Sequence, residues 1–499
     1  MKKLLFIFVI LLFGIVLHAQ TPYYYYYDEE KQYLELHTEY AFLSLTDTVV
    51  PEDILQRNIT FTDFKSDNVG KKEYQGKKGI SRYYTRIRFE DTLTEKQYWN
   101  LLSDIKLQNR EIIISPYFKT AHGEKIGLSN FFYVKLKEQG DTVLLRQMAT
   151  QNGCIIIEQN SFMPLWFVVS TTEASDLDAL ECCKVFYEAD LFQYAEPDLM
   201  MSYFPQPKNN PISEKKWTLQ NEGKNNGTGC VNDPYFNLQW GLKNTGQRYV
   251  YHDADSGDST VFYAIPGIDI KACEAWQLST GKNVKIAIID TGIDETHPDL
   301  TDNMDSLSYV CTTNSFSSPP YDDHGTQCAG IAGAVQNNNE GISGVAPDSK
   351  IMSISFDFSG DYTFHNESLA DGINWAWQNG ADVISNSWWA AFVLPPFQIL
   401  KEPIANAVSY GRNGKGCVLV FGSGNSDAPV VSAPARLSTE FSSLMAVGGI
   451  TINGERASQS SAYSYPGSNG ANYGSELDVV APYLFITTTR TDTKKLAVN

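Results

Sequence analysis

Apolar positions follow two different rhythms along the chain. Up to about Ser202 they occur in short runs broken by polar turns, as in Tyr33-Leu34-Glu35-Leu36-His37 and Cys154-Ile155-Ile156-Ile157. Such runs predict strands with one buried face. The tyrosine run Tyr23 to Tyr27 fits the same rule better than it fits an exposed recognition patch. A polar stretch from Pro205 to Asn226, rich in Lys, Asn and Gly, then reads as an exposed linker. Beyond it the runs become nearly continuous, beginning with Val284-Lys285-Ile286-Ala287-Ile288-Ile289. A continuous apolar run is the mark of a strand buried on both faces of a parallel sheet. Further runs lie at Lys350–Phe356, Ala381–Asn386, Cys417–Gly422, Leu444–Gly449 and Leu477–Ala481, with helix-like stretches at Glu367–Gln378 and Gln398–Tyr410 between them. Strand–helix alternation predicts an α/β domain whose parallel sheet is covered on both sides, preceded by a β-rich, α+β region. Functional groups in such sheets gather at the carboxyl ends of the strands.

Length and charge narrow the picture. The 499 residues suggest about three units by the usual domain size. Their 58 acidic against 39 basic side chains, a net charge of −19, argue against a polyanion partner, whose phosphate contacts need clustered Lys and Arg. Nucleic acid is therefore not a predicted partner. Lys2 and Lys3, the apolar run Leu4 to Leu17 and the small residue Ala19 have the form of a secretory signal peptide, residues 1–19. The run is shorter than the ~20 residues that cross a bilayer, so an exported chain with no membrane span is expected. Eight cysteines are sparse and irregularly spaced, with no CxxC pair and no zinc-like Cys/His cluster. No bridge is assigned from sequence, and Cys328, set among Ala and Gly, reads as a small buried hydrophobe.

Three segments carry chemistry. Asp290 ends the first buried strand and opens Asp290-Thr291-Gly292. His324, in Asp323-His324-Gly325-Thr326, begins a small-residue helix. A carboxylate at a strand end can fix the tautomer of an imidazole and leave its other nitrogen free as a general base. Asn425 follows a third strand in Gly422-Ser423-Gly424-Asn425, where a side-chain amide can donate to a developing oxyanion. Singly, each residue is more often a buried polar group or a turn residue than a catalyst. Their order on one strand pattern favours a shared site.

In these motifs the chain resembles the subtilisin-like serine proteases, or subtilases, over roughly 232–482. The resemblance rests on Ile288-Ile289-Asp290-Thr291-Gly292, His297-Pro298-Asp299-Leu300, His324-Gly325-Thr326, Gly344-Val345-Ala346-Pro347 and Gly424-Asn425. It implies the chain order Asp, His, Ser. Asp290 would be the orienting acid, His324 the general base and Asn425 the oxyanion donor. Ser387 and Trp388 would belong to the segment along which an extended peptide substrate pairs, with Gly422, Ser423 and Gly424 as the opposite wall. The resemblance also implies structural Ca²⁺, held by Asp233, Asp299 and the loop residues Val335, Asn338, Glu340 and Ile342, a set of oxygen donors suited to that ion. Residues 20–202, ending in Phe192-Gln193-Tyr194-Ala195-Glu196-Pro197-Asp198, would form an inhibitory and folding-assisting propeptide that includes an additional N-terminal module. Residues 203–231 would be the linker, and 232–499 the catalytic domain.

The family's Gly-Thr-Ser nucleophile motif does not occur in the 499 residues, and Val480-Ala481-Pro482 is followed by Tyr483 where the family has Gly. Acyl-enzyme chemistry needs that serine. The expectation is a secreted endopeptidase whose serine lies beyond Asn499. The alternative is a catalytically inactive subtilase-like chain that binds peptides or partners. A metal-dependent hydrolase built on Asp290, Asp323 and His324 lacks a second histidine in the motif.

Overall fold

The computed structural model describes residues 22–46, 70–73, 81–89, 92–108, 112–120, 123–201, 230–252, 259–316, 320–356, 366–388, 397–461, 470–483, 486–489 and 497–498. The signal-like segment 1–19, His122, most of the linker and Trp389 lie outside the described residues.

The first unit is a nine-stranded sheet with helices. Its strands are β1 (Tyr23–Tyr27), β2 (Glu30–Thr46), β3 (Gly70–Glu73), β4 (Ser81–Arg88), β5 (Ile112–Lys119), β6 (Lys125–Leu136), β7 (Cys154–Gln159), β8 (Trp166–Thr171) and β9 (Phe192–Met201). Helices α1 (Glu95–Gln108), α2 (Thr142–Gln151) and α3 (Ala179–Glu188) accompany them. Within this unit β6-α2-β7-β8-α3-β9 forms a β-α-β-β-α-β motif, with antiparallel pairing of β9 to β6, β6 to β8 and β8 to β7. The short strands are legible in sequence, but the one buried face expected of them fails at the central strands β6 and β8, which are buried on both faces. The helices are not legible, because α2 and α3 are only ten residues each and are amphipathic at their packing face alone. The tyrosine run is indeed a strand, with Tyr25 buried at its centre.

The second unit contains the small hairpin β10 (Arg248–His252) and β11 (Ser259–Tyr263), the short helix α4 (Ala272–Ala275), and a seven-stranded parallel sheet. The sheet strands are β12 (Lys285–Asp290), β13 (Met304–Val310), β14 (Lys350–Ser355), β15 (Val383–Asn386), β16 (Val418–Gly422), β17 (Leu444–Ile450) and β18 (Val479–Pro482). They run in the order β13-β14-β12-β15-β16-β17-β18. The helices are α5 (His324–Gly333), α6 (Asn366–Gln378) and α7 (Gln398–Gly414), and two-residue strands β19 (Thr487–Thr488) and β20 (Ala497–Val498) pair at the end. Ile286, Ile288 and Ile351 pack on one face of the sheet, while Ala287, Ile289, Met352 and Ile354 join the core on the other. Burial on both faces is the physical reason for the continuous apolar runs. The two edge strands depart from it: β13 is half exposed and polar, Met304-Asp305-Ser306-Leu307-Ser308, and β18 is apolar yet exposed at Val479 and Val480.

The two units share one apolar core, with Trp166, Phe167 and Phe192 in the same cluster as Trp375, Phe397 and Leu400. Polar contacts also join them. Asn160 Nδ2 donates to Asp371 Oδ1 at 2.6 Å, and Trp166 Nε1 donates to Glu402 Oε2 at 2.6 Å. Lys135 pairs with Glu402 at 2.8 Å. A disulfide joins Cys230 to Cys273, a bridge that the scattered cysteine spacing does not reveal. None of the described helices is long and apolar enough to cross a membrane.

Candidate active site

Asp290 is the last residue of β12, 1% exposed, at the carboxyl end of the sheet. Its Oδ1 lies 2.6 Å from His324 Nδ1 and accepts the Thr291 N–H at 2.8 Å. His324 opens α5, and its N–H donates to Asp322 Oδ1 at 2.8 Å. The helix is locked to the strand end by short contacts. Gly325 N donates to Thr291 Oγ1 at 2.8 Å, and Asp294 N donates to Thr326 Oγ1 at 2.9 Å. A Cβ on Gly325 would sit 2.2 Å from the Gly292 carbonyl oxygen, so glycine is what lets the two turns meet.

The Asp290 carboxylate raises the His324 pKa well above its ordinary value. Because the imidazole is 51% exposed, solvent screens part of that attraction. With Nδ1 held by the acid, Nε2 is the nitrogen available to a reacting group. Thr291, Gly325 and Thr326 are positioning residues that the sequence reading passes over, although they sit inside its own motifs.

Cys328 corrects an expectation. Its sulfur is 3.8 Å from His324 Nδ1, and it is the one free described cysteine that is not buried. One helical turn separates residues 324 and 328, which puts both side chains on the same face of α5. Asp290, His324 and Cys328 thereby converge within 4.8 Å, a cluster that the sequence reading does not predict.

Asn425 sits two strands away, just after β16, where its Oδ1 accepts from Tyr483 Oη at 3.1 Å. The preceding turn is rigid. Gly424 has φ +107°, and a Cβ there would meet Asn472 Nδ2 and Ser432 Oγ at 2.4 Å. Ser423 is 2% exposed and its hydroxyl donates to the Asn472 carbonyl at 3.0 Å. Gly422 closes β16 and is partly exposed. Ser387, just past β15, is exposed, whereas the Trp388 ring is buried edge-on against Phe421 at 5.3 Å. The Trp388 side chain is therefore core, and any contact from this residue to a peptide would come from its main chain.

The six residues implied as calcium donors fall into one neighbourhood. Asp299 Oδ1 accepts from Asn338 Nδ2 at 3.0 Å, and its Oδ2 accepts from Ile342 N at 2.8 Å. Asp299 also accepts Val335 N at its carbonyl, 2.9 Å away. Burial pushes the Asp299 pKa up to about 6, with the Asp233 and Glu340 charges adding to the rise. Asp233 Oδ2 accepts from Ser343 Oγ, while its Oδ1 is buried without a partner among the described residues. Left-handed backbone at Asn337, Asn339 and Gly341 folds the loop back over these carboxylates. Crowded buried carboxylates with an orphaned oxygen fit a hard cation held by oxygen ligands.

The parallel sheet and the Asp/His pair at its carboxyl edge are the arrangement of a subtilisin-like serine protease. Residues 281–494 match the Subtilase family. Thermitase from Thermoactinomyces vulgaris is 34% identical over 221 residues, which cover 44% of this chain and 70% of thermitase. Neuroendocrine convertase 2 from Bos taurus is 37% identical over 207 residues, 39% of this chain and 30% of the convertase. A calcium-dependent protease from a Nostoc strain is 36% identical over 217 residues, 39% of this chain and 29% of that protein. The chain belongs to the subtilase family. It spans under a third of the length of the convertase.

Proposed function

We propose that this chain is part of a secreted serine endopeptidase, with residues 1–19 as signal peptide, 20–202 as propeptide, 203–231 as linker and 232–499 as catalytic domain. The carrying observation is the 2.6 Å contact between Asp290 and His324 at the end of a buried parallel strand. In this reading Asp290 fixes the tautomer and His324 Nε2 takes the proton of the nucleophilic serine. That serine belongs to a Gly-Thr-Ser motif beyond Asn499. The protonated imidazole then returns the proton to the leaving amine. Asn425 donates Nδ2 to the oxyanion, its Oδ1 being occupied by the Tyr483 hydroxyl. Main-chain groups at Ser387 and Trp388, with Gly422, Ser423 and Gly424 opposite, would line the extended peptide substrate. Asp233, Asp299, Asn338 and Glu340 would hold Ca²⁺ through side chains, and Val335 and Ile342 through main-chain oxygens. The name of the Nostoc relative, a calcium-dependent protease, supports that assignment.

The absence of Gly-Thr-Ser from these 499 residues favours one other reading, an inactive chain that binds peptides. One experiment separates them. The reading frame is followed past Asn499 and its whole product assayed on a fluorogenic peptide, with His324→Ala as control. A Gly-Thr-Ser motif and a loss of about 10⁴-fold or more in kcat/KM support the protease. A frame without the serine, or turnover indifferent to His324→Ala, overturns it.

A further inference from the structure

We propose that the hairpin formed by β1 and β2, which precedes the β-α-β-β-α-β motif, is a second clamp holding the N-terminal unit on the catalytic unit. Its grip is the turn Asp28-Glu29 on the amino end of α7. The inference rests on the reading of residues 20–202 as a propeptide and assigns a docking role to its additional module.

Geometry carries the argument. Strand β1 alternates its side chains, as period two requires. On one face Tyr26 stacks on Tyr187 of α3 at 4.2 Å, and its hydroxyl donates to Glu188 at 2.9 Å. That face ties the hairpin to the motif. On the other face Tyr25, 1% exposed, packs its ring 5.8 Å from Phe397, the residue that caps α7. The hairpin turn is tight, with Asp28 and Glu29 both in left-handed backbone at φ 43° and 67°. It projects the Asp28 carboxylate to α7, where Oδ1 accepts from the Gln398 side chain and Oδ2 lies 3.6 Å from Lys401 Nζ. Lys401 also stands 5.9 Å from the Tyr27 ring and pairs with Glu440 at 2.7 Å.

The motif reaches the same helix end by a separate route. Glu196 of β9 accepts the main-chain N–H groups of Gln398 at 2.7 Å and Ile399 at 3.2 Å. A helix amino end carries unpaired N–H groups and a positive dipole, so two acids from two elements suit it. Gln398 is thus held from both sides, by Glu196 through its main chain and by Asp28 through its side chain. Only the second hold comes from the hairpin.

The test uses the full chain with a specific protease site placed within 203–229. After cutting, dilution and native mass spectrometry give the lifetime of the complex between the two fragments. Wild-type fragments are expected to stay together. Asp28→Ala should shorten the lifetime about tenfold, since charge-assisted hydrogen bonds are the stronger kind. Asp28→Asn, which keeps an acceptor for Gln398 but loses the charge facing Lys401, should fall between. Unchanged circular dichroism guards against misfolding, and the mild Asp28→Asn change preserves the test if Asp28→Ala does not fold. If both Asp28 variants match wild type while Glu196→Ala releases the fragment, the clamp is overturned and the propeptide reading survives. If the wild-type fragments separate at once on dilution, the propeptide reading fails and takes the clamp with it.

Discussion

Gly325 meets Gly292 with no room for a methyl group: a Cβ on Gly325 would lie 2.2 Å from the Gly292 carbonyl oxygen and 3.0 Å from its nitrogen. These two turns carry His324 and Asp290, so their contact sets the distance between acid and base. Gly325→Ala must push α5 off the end of β12. Overpacking of this kind costs about 1–3 kcal/mol. The expected outcome is a lower urea midpoint, together with a His324 imidazole that titrates nearer its ordinary value by NMR. A variant with wild-type midpoint and titration would show that the two turns can part without disturbing the pair.

Asp290→Asn removes the charge that raises the His324 pKa. The sign follows from linkage. A histidine whose folded pKa exceeds its unfolded value contributes stability that is fully present below about pH 6.5 and is lost as pH rises through the folded pKa. The stability gap between wild type and Asp290→Asn should therefore be widest on the acid side of pH 6.5 and narrow as pH increases. Denaturant melts across pH 5–9 check this, and a gap independent of pH would show that Asp290 does not govern the titration.

Much of the parallel sheet and of the Asp290–His324 pair is legible in the sequence, for a physical reason. Strands buried on both faces cannot hide their composition, so β12, β14, β16 and β17 lie within a residue or two of their apolar runs. Motifs fixed by close backbone approach, such as Asp290-Thr291-Gly292 and His324-Gly325-Thr326, are legible because few residues fit there. What escaped was decided at a distance. The edge strand β13 owes its shape to pairing with β14, not to its own polar sequence. Cys328 is the exception, since its place one helical turn from His324 is a local relation on α5 that the small-residue run obscures; Trp388 packs into the core against Phe421 of a neighbouring strand. The contact between Asp28 and Gln398 links residues in different units, and no local pattern announces it.

The Oδ1 of Asp233, buried with no partner among the described residues, predicts a response to calcium. Ca²⁺ bound only by the folded chain stabilises it by about 2.7 kcal/mol at 100 times Kd. Adding CaCl₂ after EDTA treatment should raise Tm, whereas MgCl₂ at equal concentration should do so less, since Mg²⁺ demands a stricter octahedral cage. Asp233→Asn should abolish most of the calcium shift and leave the metal-free Tm near or above that of wild type, because a crowded carboxylate has gone. An equal calcium shift in wild type and Asp233→Asn would remove Asp233 from the donor set.

Glu196 makes docking of the two units sensitive to pH. Burial is the main cause that pushes its pKa from 4.5 up to about 8, and the nearby charges of Asp28 and Glu402 add to the rise; the N–H groups of Gln398 and Ile399 oppose it. Tyr25 also faces this carboxyl, and its hydroxyl stays protonated throughout the range because burial raises its pKa further. A carboxyl with a raised folded pKa favours the docked state fully below about pH 4.5 and loses that contribution as pH rises through about 8. Docking therefore takes up a proton between those limits, and each pH unit there should weaken the complex of cut fragments by up to tenfold. Glu196→Gln keeps an acceptor for the α7 amino end but cannot ionise, so its dissociation constant should be flat over the same window. Fragment dissociation measured from pH 5 to 9 decides the matter, because a wild-type curve as flat as that of Glu196→Gln leaves the carboxyl no part in docking.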